Sequence, residues 1–254
     1  MSNQPYYGYN QPNNEFQNRG APQPMYTEVK YDYGQDDKRD QMNFVRKVYM
    51  ILATQLSITT LFIVAVQTSK GFNLFMRENM GLAIAMAVMA LCISCAIVCC
   101  FGRQVPINYI LLFLFTFCES WAIAGITAFY DPTIVMMAGG ATALTTVALT
   151  IYAWRTKHSI EFFGAIAFVV CLAMLPIAII SIFVRVGALN TVYCCLGVVL
   201  YGIFLIIDTM LIVKGDTMSG QKCSMDDYII GAMMLYLDII NMFLYLLRLF
   251  GDRN

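Results

Sequence analysis

Seven long apolar runs alternate with short polar segments along most of this chain. They cover approximately residues 45–67, 81–101, 107–129, 133–154, 160–184, 188–213 and 228–250. Each run is roughly 20 residues long or longer, which is the length that an α-helix needs to cross the hydrocarbon core of a bilayer. Their hydrophobicity is continuous and does not alternate, so the pattern disfavours a β-barrel. We therefore predict an all-α polytopic membrane protein whose seven helices pack as one bundle.

Composition supports the same class. The chain is 59% hydrophobic and 13% charged, whereas soluble domains carry about 25% charged residues. The net charge of zero gives no reason to expect a nucleic-acid partner. A single histidine leaves no Cys/His spacing typical of a metal site, and we expect no cofactor. Membrane lipid is the partner that the composition predicts.

The amino-terminal segment differs from the rest. Residues 1–43 are rich in Pro, Gln, Asn, Tyr and Gly and are predicted to form a disordered tail, followed by a transmembrane domain over residues 44–254. Basic residues such as Arg46, Lys47 and Arg155 are more frequent on the side of the bundle that holds the amino terminus, which favours a cytosolic tail. The last run is either a central buried helix or a re-entrant one.

Two aspartates lie inside consecutive apolar runs, Asp208 in the sixth and Asp238 in the seventh. A carboxylate at membrane depth is costly unless it faces the protein interior or water and finds a partner. Two carboxyl groups in contact cannot easily both be ionised, so one proton would be shared between them. We expect a pH-responsive pair. The structural alternative is that both side chains only join helices through hydrogen bonds.

Helical spacing places further residues on the faces of the two aspartates. On the last run this face holds Asp238, Asn241, Tyr245 and Arg248. On the preceding run it holds Gly197, Tyr201 and Asp208. If these two stripes face each other, the polar atoms are buried in the bundle, and Ile, Leu and Met remain for lipid.

Two more ionisable residues are candidates for the same site. Glu119 lies midway along the third run, where it either lines a pore or is satisfied by hydrogen bonds between helices. Arg103 ends the second run on the side nearest Asp208, and it is either a counter-ion to the aspartates or a positively charged anchor at the membrane surface.

Several motifs resemble the transmembrane Bax inhibitor motif family, and its lifeguard branch is the more similar. The resemblance covers roughly residues 40–254. The matching segments are Phe44-Val-Arg-Lys-Val-Tyr49, Thr116-Phe-Cys-Glu119-Ser120, Asp208-Thr209 and Leu235-Tyr-Leu-Asp238-Ile-Ile-Asn241-Met-Phe-Leu244.

This resemblance implies a seven-helix fold with the last helix at its centre. It also implies a calcium leak across the endoplasmic reticulum, Golgi or plasma membrane, gated by Asp208 and Asp238, which would bind the permeating Ca²⁺ only transiently. Arg103 would be a counter-ion, although relatives carry a basic cluster where this chain has one arginine. Suppression of apoptosis is the cellular association of the family.

The sequence allows two other interpretations of the function. Intramembrane aspartyl proteases also place two aspartates on consecutive helices, but their Tyr-Asp and Gly-x-Gly-Asp motifs are not intact at Asp208 and Asp238, so we do not expect an enzyme. The second alternative is a non-transporting membrane scaffold that binds apoptosis-regulating membrane proteins through its tail or its helices.

Overall fold

The structure is a computed structural model that describes residues 33–101, 104–183, 187–214 and 228–251. Within these residues there are eight α-helices and no strand. In chain order they are α1 (Tyr33–Thr68), α2 (Lys70–Glu78), α3 (Met80–Ala96), α4 (Ile107–Thr127), α5 (Pro132–Arg155), α6 (Ile160–Phe183), α7 (Gly187–Lys214) and α8 (Tyr228–Gly251). A π-helical turn, Ile97–Phe101, continues α3.

Seven of the described helices are long and apolar enough to cross a membrane, and α2 is the exception. This confirms the predicted all-α polytopic class. Residues 1–32 of the predicted tail lie outside the described part of the chain. Helix α1 begins at Tyr33, whereas the first apolar run begins near residue 45.

Helix α8 is the centre of the bundle. In its most apolar stretch 61% of the residues are buried, compared with 22% for α1, α3 and α5 and 17% for α6. It packs against α4, α5 and α7. Its 24 residues measure about 36 Å at 1.5 Å per residue, which suffices for a full span. The last helix is therefore central and continuous, which answers the question that the sequence left open.

The short helix α2 was not predicted, because its nine residues are too few to stand out between two apolar runs. Ser69 begins it by accepting a hydrogen bond from the Phe72 amide. Near its end, the Arg77 side chain donates to the Ala128 carbonyl at 2.7 Å, just past the end of α4. A cation at this position complements the negative end of the α4 dipole. Helix α2 therefore ties the end of α4 to the loop after α1.

Candidate functional site

The Asp208 and Asp238 side chains meet between α7 and α8 and are joined by a hydrogen bond. Both are buried, with 9% and 6% of their surface exposed. A hydrogen bond between two carboxyl groups needs one proton, because one group has to donate. The structure thus brings the two predicted site residues into contact, at a distance at which one carboxyl group could donate a proton to the other. Their predicted role as a gate stays a prediction.

Helices α7 and α8 also approach each other closely at a second point, away from the aspartate pair. The Gly197 backbone of α7 lies against the Tyr245 ring of α8, so a Cβ atom at Gly197 would be 2.5 Å from two ring carbons. No residue with a side chain fits at this position without movement of the ring. The predicted stripes therefore face each other in antiparallel order, with Gly197 opposite Tyr245 and Asp208 opposite Asp238.

Three tyrosines form a cluster beside the aspartates. The Tyr201 ring lies 5.7 Å from the Tyr245 ring, centroid to centroid, with 32° between their planes. The Tyr245 hydroxyl donates to the Tyr193 hydroxyl over 3.5 Å. Tyr201 is also within electrostatic range of Asp238. Tyr201 and Tyr245 were predicted as polar members of the site, whereas Tyr193 was missed because it lies outside the residues assigned to the stripe.

Two buried oxygen atoms, one in the pair itself and one in the residue that follows Asp208, have no other hydrogen-bond partner in the described part of the chain. They are Oδ2 of Asp238 and Oγ1 of Thr209, the residue after Asp208. Buried polar atoms in native proteins are nearly always paired with protein or water, so exceptions call for a functional explanation. Oxygen atoms are also the ligands that hard cations such as Ca²⁺ prefer.

Asn241 is half-buried and is not joined to the carboxyl pair. Its side-chain amide donates to the Leu237 carbonyl at 2.8 Å, one turn earlier in α8. Arg248, at the end of the same predicted stripe, is exposed in the last turn of α8. The inward-facing stripe of α8 therefore ends near Tyr245.

Glu119 is half-buried in the middle of α4. It is within electrostatic range of Tyr236 of α8 and of its neighbour Cys118. The structure therefore places it on the α4 side of the central helix, beside Tyr236, and does not join it to Asp208 or Asp238. Both roles predicted for Glu119, lining a pore and forming hydrogen bonds between helices, stay predictions.

A buried polar network beside Glu119 was missed in the sequence. The Thr59 hydroxyl of α1 is hydrogen-bonded at 2.9 Å to Ser120 of α4 and at 2.9 Å to Tyr236 of α8. One turn away, the Gln55 amide donates to the Thr116 hydroxyl at 3.0 Å. The available signal was a pair of polar residues four positions apart in each of two apolar runs, which puts each pair on one helix face.

Arg103 lies outside the described residues, so its prediction as a counter-ion stays a prediction. In the part of the chain that is described, no three His, Cys, Asp or Glu side chains come together around a point that could hold a metal ion. Two carboxyl groups are too few for a high-affinity Ca²⁺ site, which uses six to eight oxygen ligands.

These features define a multi-pass α-helical membrane protein with an acidic site buried against its central helix. The chain belongs to the Bax inhibitor family, since the family model described as "Inhibitor of apoptosis-promoting Bax1" matches residues 41–254. Within that family it is similar to the lifeguard proteins.

Three curated relatives show the extent of this similarity. Human Protein lifeguard 3 is 31% identical over 225 residues, which is 86% of this chain and 71% of the relative. Mouse Protein lifeguard 3 is 28% identical, covering 86% of this chain and 72% of the relative. Mouse Protein lifeguard 4 is 32% identical over 212 residues, with 82% and 84% covered.

Proposed function

We propose that this protein is a pH-sensitive calcium leak channel in which the Asp208–Asp238 pair controls the passage of cations. The observation that carries the proposal is the hydrogen bond between these carboxyl groups, one from α7 and one from the central helix α8. A proton held between two helices is a local element that can change the packing of both.

The direction of the pH effect follows from the shared proton. With the proton in place, the hydrogen bond joins α7 to α8. When the pH rises and the proton is lost, two carboxylates face each other at short range, and their repulsion favours separation of the helices. The same change creates negative charge that attracts Ca²⁺. Calcium flux is therefore expected to rise as the pair loses its proton.

The surroundings of the pair suit conduction better than storage of an ion. Oδ2 of Asp238 is an oxygen atom without another partner. The hydroxyl groups of Tyr193, Tyr201 and Tyr245 add polar atoms along the same side of α8. A conducting site has to bind a cation strongly enough to admit it and weakly enough to release it, which a small set of oxygen ligands satisfies.

The test is Ca²⁺ influx into liposomes that contain the purified protein, measured over a pH series. Asp208→Asn and Asp238→Asn each keep the side-chain shape and remove the shared ionisable proton, so both variants should lose the pH dependence of the flux. Glu161→Gln is the matched control, because Glu161 is an exposed carboxylate in the first turn of α6. An unchanged pH profile in both site variants would rule the gate out.

We also place the amino terminus in the cytosol, on the support of the described basic residues. Arg39, Arg46, Lys47, Arg155 and Lys157 lie towards the end of the bundle at which α1 begins, which we call the inner side, and Lys70, Arg77 and Arg248 lie towards the opposite, outer side. Basic residues are enriched in cytoplasmic loops. Protease protection of a tag at residue 1 in sealed microsomes tests this orientation.

A non-transporting scaffold that acts on apoptosis regulators is the second candidate. The name of the matched family, which refers to inhibition of apoptosis-promoting Bax, is the observation that favours it. Removal of residues 1–32 separates the two functions, because α1 begins at Tyr33. The leak should survive this deletion, whereas a cellular effect that depends on binding through the tail should disappear.

A further inference from the structure

We propose that a groove on the lateral face of the bundle, between α1 and α5, binds an acyl chain of a zwitterionic membrane phospholipid. The groove has a volume of about 710 Å³, and α8 forms its floor. Its lining includes Leu56, Ile63 and Val64 of α1, Val135 and Val147 of α5 and Ile239 of α8. This site is separate from the tyrosine cluster and from the facing stripes of α7 and α8.

The groove exists because side chains are missing from one wall. Gly139 and Gly140 lie in the α5 wall, and a Cβ atom added at either would meet nothing within 4 Å. Small residues in membrane helices usually allow another helix to approach closely. Here no helix of the described chain closes over the two glycines, so the space beside them is available to a molecule from outside.

The shape and position of the groove identify its occupant as hydrocarbon. Its α5 wall runs from Pro132 to Val147, which is about 22 Å at 1.5 Å per residue. This length is more than half of the hydrocarbon core, which is about 30 Å thick. A long, apolar, laterally placed groove at this depth lies among lipid chains, and one chain lying parallel to the helices would fill it.

Threonines in the lining do not change this apolar character. The hydroxyl groups of Thr59, Thr60 and Thr142 each bond to a backbone carbonyl of their own helix, four residues earlier. Thr146 is the exception, because its buried hydroxyl oxygen has no partner among the described residues. A saturated chain gains nothing from this hydroxyl, whereas a ligand with its own hydroxyl group would.

Charged residues directly next to the lining in the sequence flank the outer end of the groove and suit a phospholipid headgroup. Gln67 and Thr68 line this end, and the exposed Lys70 follows two residues later. On the other wall the exposed Asp131 directly precedes Pro132. A cation and an anion at the mouth complement the phosphate and the ammonium group of a zwitterionic headgroup.

Photo-labelling tests the proposal directly. The full-length protein is reconstituted in phosphatidylcholine vesicles that contain phosphatidylcholine with a diazirine on one acyl chain, and the labelled peptides are mapped by mass spectrometry after irradiation. Adducts should concentrate on the groove residues of α1 and α5. Gly140→Leu, or Gly139→Leu as a second filling variant, should lower this labelling several-fold.

Two variants serve as controls. Leu144→Trp changes a residue of α5 that is 77% exposed and outside the groove, so it should leave the labelling unchanged. Thr146→Val should retain it, because a hydrocarbon chain does not need the hydroxyl group. The assignment would be overturned if labelling were spread evenly over the lipid-facing helices or were lost in Thr146→Val. Displacement of the labelled lipid by added sterol, or a dimer cross-linked through α5, would also overturn it.

Discussion

Gly197 of α7 lies directly against the aromatic ring of Tyr245 of α8, and this contact sets how closely the two aspartate-bearing helices approach. Gly197→Ala would place a methyl group 2.5 Å from the ring carbons, and overpacking of this kind costs about 1–3 kcal/mol of stability. We expect a lower unfolding temperature in detergent and a leak that is less sensitive to pH, because the carboxyl groups are forced apart.

Gly187→Ala is the matched control for this prediction, since Gly187 lies on the same helix and a Cβ atom there would meet nothing within 4 Å. Gly197→Ala should cost less stability in a Tyr245→Ala background than in the unchanged protein, because that background lacks the ring that the methyl group meets. A Gly197→Ala variant as stable as the Gly187→Ala variant would show that the close approach is unimportant.

The Thr59–Ser120–Tyr236 network predicts a second effect on stability. Tyr236→Phe removes the hydroxyl that bonds to Thr59, and hydrogen bonds between membrane helices contribute about 0.6 kcal/mol on average and up to about 1.7 kcal/mol. The free energy of unfolding should fall by an amount in this range. Tyr152→Phe, on a tyrosine that is 45% exposed, should change it little.

A double-mutant cycle identifies the partner in that network. If the Tyr236 hydroxyl acts through Thr59, Thr59→Val and Tyr236→Phe should together cost less than the sum of the two single changes. Strict additivity would mean that the two hydroxyl groups are energetically independent.

The hydrogen bond from Arg77 to the end of α4 predicts a third effect on stability. Arg77→Ala removes a cation and a donor from the Ala128 carbonyl, and a charge that complements a helix dipole is worth about 0.3–1 kcal/mol. The unfolding temperature should fall slightly, and more at low salt than at high salt. Lys70→Ala, at the opposite end of α2, should not lower it, because a cation near a helix amino terminus is not stabilising.

Much of the fold could be predicted because membrane helices leave a strong signal in the sequence. The seven apolar runs correspond to α1 and α3–α8. The facing positions of Gly197, Asp208, Asp238 and Tyr245 follow from helical spacing, since residues three, four and seven positions apart share one face of a helix, whereas Arg248 of the same predicted stripe is exposed. The counter-ion proposal for Arg103 has no such test, because that residue lies outside the described chain.

Contact between the aspartates was less predictable. Counted from the inner ends of their helices, Asp208 lies about 9 Å deep and Asp238 about 15 Å deep at 1.5 Å per residue. The side chains nevertheless meet, because α7 and α8 pack closely against each other, as the contact of Gly197 with the Tyr245 ring shows. Sequence spacing within single helices does not contain this information.

The polar network and the lateral groove could not be predicted for a related reason. Thr59 and Ser120 each belong to a short polar pair on one helix face, but only the packing of α1 against α4 and α8 shows that the two pairs are partners. The groove beside Gly140 depends on a gap between α1 and α5, which are distant in sequence. Both features arise from how the helices pack and not from the pattern of any one helix.

The most direct test of the account is the separation of the Asp208 and Asp238 carboxyl groups in structures determined in lipid nanodiscs at acidic and at alkaline pH. The account predicts that the carboxyl groups are in hydrogen-bond contact at acidic pH. At alkaline pH they should be apart, with a polar passage open beside α8. An identical carboxyl contact at both values of pH, in a protein whose calcium flux still changes between them, would contradict it.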